Sequence, residues 1–247
     1  MSAAGPITDL IARGALFVLN DSAGKDSQAQ KIKVMSMVPR RQILIVHAVL
    51  PEVEWDGTIE HIEANSDGIP IVYAHARKTL FEMVEHRGMF PSPANRQCTS
   101  DLKRGPIERE IRRYLKAHPE FGGLVVNCMG MRAEESAGRA KLNSFKFNKA
   151  NSKAGREWYD WLPIHDWSAE DVFACIAAAE QKPHWAYAAG MTRLSCCFCI
   201  MSSQADLMTA AKLNPDLYRR YVETERRLGF TVSMSRKPLP ELTGIAA

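Results

Sequence analysis

The chain has 247 residues, 46% of them hydrophobic, and 32 Lys and Arg against 28 Asp and Glu give a formal net charge of +4. That length buries a sizeable core, with one domain and an appended lobe as the natural arrangement. The charge is too small to establish a nucleic-acid partner, although it leaves room for a local basic surface. No apolar run reaches the roughly 18 residues of a membrane span, and no basic segment followed by an apolar signal core opens the chain, so the cytoplasm is the expected compartment.

In chain order, residues 15–19 form an apolar run that predicts a strand, and residues 28–38 predict a helix. A β-branched strand follows at 42–50, a polar helix at 57–65 and another strand at 69–75. Residues 78–86 and 108–117 predict helices, the latter with Ile111 and Leu115 on one face. Residues 122–129 are continuously apolar, as in a strand buried on both faces of a parallel sheet. From 136 to 158 the chain turns polar and loses periodicity, which predicts a mobile loop that could close over a ligand. A helix over 168–179 opens with Ser-Ala-Glu-Asp, and 206–228 is helical with a break near Asn214-Pro215. The alternation predicts an α/β protein, a parallel twisted sheet with helices on both faces over residues 1–165. A helical, cysteine-containing C-terminal lobe over 166–247 packs as part of one unit.

Between the first strand and its helix lie Ser22, Ala23, Gly24, Lys25, Asp26 and Ser27. A strand that ends in a small-residue turn and feeds a helix aims backbone N–H groups and the positive end of the helix dipole at one spot, which suits a polyphosphate. Lys25 adds a point charge and Ser22 and Ser27 add hydroxyl donors. Asp26 could hold Mg²⁺ or orient its neighbours. The Walker A pattern is absent. Alanine has little freedom at positive φ, so Ala23 either takes an ordinary conformation or the turn accepts strain.

Three other segments carry candidate chemistry. Cys98 opens the first, in which Lys103 and Arg104 precede a helix; they suit an anion or form a solvated pair at a helix end. The second runs from Gly130 through Arg132, Glu134 and Glu135 to Arg139, just after the apolar strand. Ligands bind beyond the carboxyl ends of parallel strands, so Arg132 falls on the same edge as the Ser22 loop. The third sets Arg193 beside Cys196, Cys197 and Cys199. With Cys98 these thiols could bind an iron–sulfur cluster or zinc, carry a persulfide, or form an inert buried turn. Three of the six cysteines crowd into four positions, unlike a secreted disulfide framework, and Cys128 and Cys175 sit in apolar contexts that read as core.

Taken in order, these segments, with the stretch that starts at His47 and the Leu162 to Asp171 stretch, resemble the phosphoadenosine phosphosulfate reductase family of PP-loop proteins over about residues 15–230. The usual loop string of that family is Ser-Gly-Gly-Lys-Asp-Ser, so Ala23 is a departure from it. The resemblance implies an adenine nucleotide α-hydrolase-like fold. Ser22 to Ser27, His47, Gly130 and Arg132 would bind the nucleotide, and Lys25, Asp26 and Arg132 would do the chemistry. Lys103, Arg104, Arg139 and Arg193 would neutralise nucleotide or acceptor phosphate. ATP and Mg²⁺ are the implied cofactors, with an iron–sulfur cluster on Cys98, Cys196, Cys197 and Cys199 as a further one.

Sulfonucleotide reductases of this family attack sulfur with a cysteine near the C-terminus. The last cysteine here is Cys199, and residues 236–247 contain neither cysteine nor histidine. The leading expectation is therefore an ATP pyrophosphatase that adenylates an acceptor for sulfur transfer, as in the Dnd and Ssp DNA phosphorothioation systems. Its partners would be a sulfur donor such as a cysteine desulfurase, and DNA, with oligomerisation left open. A sulfonucleotide reductase and a non-catalytic ATP-binding subunit are the alternatives.

Overall fold

The computed structural model describes residues 4–246. Helix α1 (Ala4–Ala12) leads to β1 (Leu16–Asn20), and α2 (Lys25–Met35) to β2 (Ile43–Val49). Next come α3 (Thr58–Ala64), β3 (Ile71–His75) and α4 (Leu80–Arg87), the last with a Thr79–Glu82 capping box and Gly88 as a left-handed C-cap. A short α5 (Gln97–Thr99) passes through a π-helical turn, Ser100–Arg104, into α6 (Gly105–Ala117), and β4 (Leu124–Cys128) follows. Then come α7 (Ala137–Ala140), β5 (Phe145–Phe147), β6 (Glu157–Trp161) and α8 (Ala169–Ala178). Helices α9 (Trp185–Ala188), α10 (Gln204–Leu213), α11 (Pro215–Leu228) and α12 (Leu239–Thr243) complete the chain.

The six strands form one sheet in the order β3-β2-β1-β4-β6-β5. β1 runs parallel to β2 and to β4, β4 runs parallel to β6, and β5 pairs antiparallel with β6 at the edge. Phe17, Val18, Leu19, Val125 and Val126 are fully buried, so both sheet faces are covered. From β1 the chain proceeds to β2 on one side, while β4 lies on the other. The order reverses there, at the carboxyl ends of β1 and β4, which is where ligands bind in open parallel sheets.

The segment expected as a featureless loop at 136–158 instead contains α7, β5 and the start of β6. Its polar residues serve as turn and edge ties. Asn148 Nδ2 donates to Asp160 Oδ2 at 2.9 Å, and Ser152 Oγ accepts the Trp158 N–H at 2.9 Å. Strand β6 was missed because its aromatic alternation, Trp158, Tyr159 and Trp161, follows directly on that polar stretch.

Contacts divide the chain into two compact units. The first comprises residues 1–47, 59–73 and 108–183, and the second 48–58, 74–107 and 184–247; residues 1–3 and 247 lie outside the described part. In the first unit, Ala29 of α2 packs with Ile164 and with Val172 and Ile176 of α8, and Cys175 lies against this cluster. In the second, the Tyr221 ring centroid lies 4.9 Å from Phe81, 5.0 Å from Phe198 and 5.9 Å from Phe90. Buried Glu225 accepts the N–H groups of Val232 and Leu239, both at 2.8 Å, and so ties down the chain after α11. No described helix is long and apolar enough to cross a membrane.

Candidate nucleotide-binding site

The turn between β1 and α2 is built around Asp21, which the sequence reading passed over. Its Oδ1 accepts the Ala23 N–H at 2.9 Å and lies 3.0 Å from Ser27 Oγ, while its Oδ2 lies 2.6 Å from Lys31 Nζ. Burial alone would raise the Asp21 pKa, but the Lys31 charge and these donors outweigh it and hold the carboxyl below its ordinary value. His47 Nδ1 donates to the Asp21 carbonyl at 2.8 Å, so His47 braces the loop from β2.

Ala23 accepts strain: its φ is +60°, in the left-handed region, and its side chain is buried. This tight turn brings Ser22 N–H within 3.1 Å of Ser27 Oγ and leaves Gly24 as an extended N-cap. No side chain caps the start of α2. The first N–H groups of this eleven-residue helix therefore have no side-chain acceptor at its N-cap, the kind of helix start that suits an anion.

Gly130 follows β4 and comes so close to the loop that a Cβ there would meet the Asp26 carbonyl oxygen at 2.7 Å and the Ser27 nitrogen at 3.0 Å. Only a glycine lets the two strand ends approach this far. Two residues on, buried Arg132 donates from Nε to Asp26 Oδ1 at 2.6 Å, and Lys25 Nζ lies 3.1 Å from Asp26 Oδ2. Burial works against the Arg132 charge, but Asp26 and Glu134 outweigh it and keep the guanidinium protonated. Glu134 pairs with Arg132 and also accepts the Ala169 N–H at 2.9 Å. Glu135 accepts the Arg132 N–H at 2.9 Å and pairs with Arg139.

Lys25, Asp26, Arg132 and Glu134 thus form one continuous chain of ion pairs between the loop and the segment after β4. Asp26 orients the two cations, with both of its oxygens engaged. The carboxylates around the loop do not form an open Mg²⁺ cage, so a magnesium ion here would be held through the phosphate oxygens of the nucleotide.

The other predicted residues lie in the second unit. Lys103 is half-buried on the π-helical turn, and its charge is stabilised first by Cys196, then by Cys199, Cys98 and Glu54, which raises its pKa. π-helical turns of this kind recur at functional sites. Burial pushes the Cys196 thiol up to about 11, although Lys103 pulls it down, and burial pushes Cys197 to about 12. The Cys197 N–H donates to the Val53 carbonyl at 2.9 Å. The Tyr221 hydroxyl, also under the influence of these thiols, is buried without a hydrogen-bond partner among the described residues. Arg104 is exposed and Arg193 half-buried. All six cysteines are free thiols, and Cys128 is fully buried in β4, as its apolar context implied.

Among the described residues, no group of three or more His, Cys, Asp or Glu side chains is placed to hold a metal ion. Lys103 interacts electrostatically with Cys98, Cys196 and Cys199.

Residues 17–202 match the phosphoadenosine phosphosulfate reductase domain. The chain belongs to this family. An uncharacterized 37.8 kDa protein of Escherichia phage 186 is 31% identical over 140 residues, covering 57% of this chain and 40% of that protein. An uncharacterized protein of Methanocaldococcus jannaschii is 24% identical over 216 residues, covering 85% of this chain and 47% of that one. The chain therefore spans less than half the length of either relative. Among solved structures, the phosphoadenylyl-sulfate reductase of Candida auris, in a phosphate complex, aligns with a TM-score of 0.50 at 12% identity. It covers 79% of this chain and 88% of that one. This likeness establishes the reductase-family fold of mostly parallel strands flanked by helices.

Proposed function

We propose that the chain is an ATP pyrophosphatase that adenylates an acceptor and prepares it for sulfur transfer. The observation that carries this reading is the uncapped start of α2, flanked by Lys25 and by the Asp26-oriented Arg132. An acceptor oxygen attacks the α-phosphorus of ATP, the bond to the β-phosphate oxygen breaks, and pyrophosphate leaves with that electron pair. The α2 N–H groups and Lys25 stabilise the charge that develops on the leaving group. Arg132, forked and permanently charged, orients the α-phosphate. Magnesium, brought in on the nucleotide, supplies charge neutralisation. The outer sulfur of a persulfide on a donor protein such as a cysteine desulfurase then displaces AMP, and an external thiol attacks the donor's own sulfur in the resulting S–S bond, freeing the phosphorothioate and leaving a disulfide between thiol and donor. The pathway this fits best is phosphorothioation of the DNA backbone, whose phosphate oxygen would be the acceptor.

A second reading, sulfonucleotide reduction, is favoured by Lys103 among Cys98, Cys196 and Cys199. A cation there would hold a sulfonate, and one thiol would attack its sulfur. The deciding experiment compares pyrophosphate release from ATP with sulfite release from phosphoadenosine phosphosulfate in the presence of a thiol donor. Pyrophosphate without sulfite supports adenylation. Sulfite without pyrophosphate moves the protein to reduction, and neither product, with tight ATP binding, makes it a nucleotide-sensing subunit.

A further inference from the structure

The opposite end of the strands in the first unit carries a second charged site. A cavity of about 620 Å³ lies ahead of β4 and β6, lined by Arg109, Arg112, Arg113 and Lys116 of α6 and by Arg156, with no acidic side chain in its wall. The nucleotide loop follows β1, so the two sites sit at opposite ends of parallel strands. Part of the wall is backbone. Gly122, Gly123, Ala154 and Gly155 have φ of +57°, +74°, +53° and +79°, and a Cβ on Gly123 would fall 2.6 Å from the Gly155 carbonyl oxygen.

Nearby carboxylates neutralise only part of this charge. Arg109 and Arg113 lie 3.0 and 2.9 Å from Glu110, and Arg112 lies 3.8 Å from Glu108. Lys116 and Arg156 stand outside these pairs. The buried Arg156 Nε has no hydrogen-bond partner among the described residues, and the Arg113 side chain is 68% exposed.

The chemistry of the wall narrows the ligand. Along α6, positions 109, 112 to 113 and 116 are separated by roughly 4.5–6 Å of helix axis. Such a row suits a ligand with charges repeated along its length better than a single compact anion. No aromatic side chain lines the cavity, so bases find no stacking platform, and its one large aliphatic side chain, Leu115, is buried, so lipid tails find no anchor.

We infer that this groove holds the phosphate backbone of a nucleic-acid strand, without sequence preference, as an anchor separate from the nucleotide loop. In the linear sequence these cations are spread over positions 109 to 156; the fold gathers them. The inference rests on the charge of the groove and is independent of which chemistry the nucleotide loop performs.

The test is fluorescence anisotropy with a labelled single strand of roughly 16 nucleotides, titrated with full-length protein at about 50 and 200 mM salt. The R112E/R113E variant is expected to bind at least about tenfold more weakly with a shallower salt dependence. The exposed K116E variant should move the same way, and E110Q should bind more tightly, a gain that misfolding does not mimic. R219E, at an exposed position of α11, serves as the control and should bind within about twofold of wild type. Circular dichroism and pyrophosphate release, read on each variant, separate failure of this inference from failure of the catalytic reading. Wild-type affinity in both R112E/R113E and K116E would overturn the inference. So would an equal loss in R219E, or binding to anionic phospholipid vesicles with none to the strand.

Discussion

Asp21 and Lys31 form an ion pair inside the first unit: Oδ2 and Nζ lie 2.6 Å apart, and 2% and 1% of their side chains are exposed. Lys31 sits within α2, so the helix reaches back and holds the very loop it follows. Asp21 in turn fixes Ala23 and Ser27, and through them the geometry in front of the helix start.

Replacing Lys31 with Met leaves the Asp21 charge buried and unpaired, which costs about 3–5 kcal/mol. At roughly 2–4 °C per kcal/mol for a chain of this size, the Tm should fall by about 6–20 °C. Thermal circular dichroism checks this, and an unchanged Tm would contradict the role given to the pair.

The same pair carries a pH signature. The Asp21 pKa is lowered in the folded state, so its contribution is present above the unfolded value of about 3.9 and is lost as the pH falls through the folded value. Acid titration of Asp21→Asn should therefore show a smaller stability loss below about pH 4 than wild type does. Parallel titration curves for the two proteins would argue against it.

Ala23→Gly removes the penalty of a left-handed alanine, about 1–2 kcal/mol, against a smaller entropic loss from greater freedom in the unfolded chain. The net gain of about 1 kcal/mol should raise the Tm by roughly 2–4 °C. A lower Tm would mean that Ala23 is not strained as described. Ala23→Val should move the Tm down.

Much of this arrangement was legible in the sequence because its cues are local. Residues 15–19 and 122–129 announced buried strands, Ser168 announced its helix, and the small-residue turn after Asn20 announced a strand-to-helix passage. What the sequence hid is long-range. The Asp21–Lys31 pair joins a loop residue to a position that reads as an ordinary helix lysine. Arg132 meets Asp26 across 106 residues, and the requirement for Gly130 becomes visible only when β4 lies beside β1. Lys103 reads as one of two cations near a helix start, whereas it lies on a π-helical turn and interacts electrostatically with thiols from two separate segments.

That thiol environment is itself testable. Cys196 is pushed up to about 11, so its alkylation followed by mass spectrometry should reach half-maximal rate near that pH. Lys103→Met removes the cation that pulls the thiol down and should shift the midpoint upward; Glu54→Gln removes a charge that pushes it up and should shift it downward. A midpoint at or below the ordinary thiol value of about 8.5 would contradict burial as the dominant effect.

Gly130→Ala drives a methyl group against the Asp26 and Ser27 backbone and displaces the loop. An overpacking cost of about 1–3 kcal/mol, felt at the binding loop, should weaken ATP binding by roughly 5- to 140-fold, as read by isothermal titration calorimetry. Unchanged affinity would place the nucleotide elsewhere.

The central claim is that charge on departing pyrophosphate is stabilised at the start of α2. Its most direct test is the rate of pyrophosphate release from ATP, measured for wild type, Lys25→Ala and Lys103→Met. Loss of one such charge-stabilising donor typically costs about 100- to 1,000-fold in rate. The account predicts a loss of that size for Lys25→Ala, with Lys103→Met close to wild type. A Lys25→Ala variant that releases pyrophosphate at the wild-type rate would contradict it.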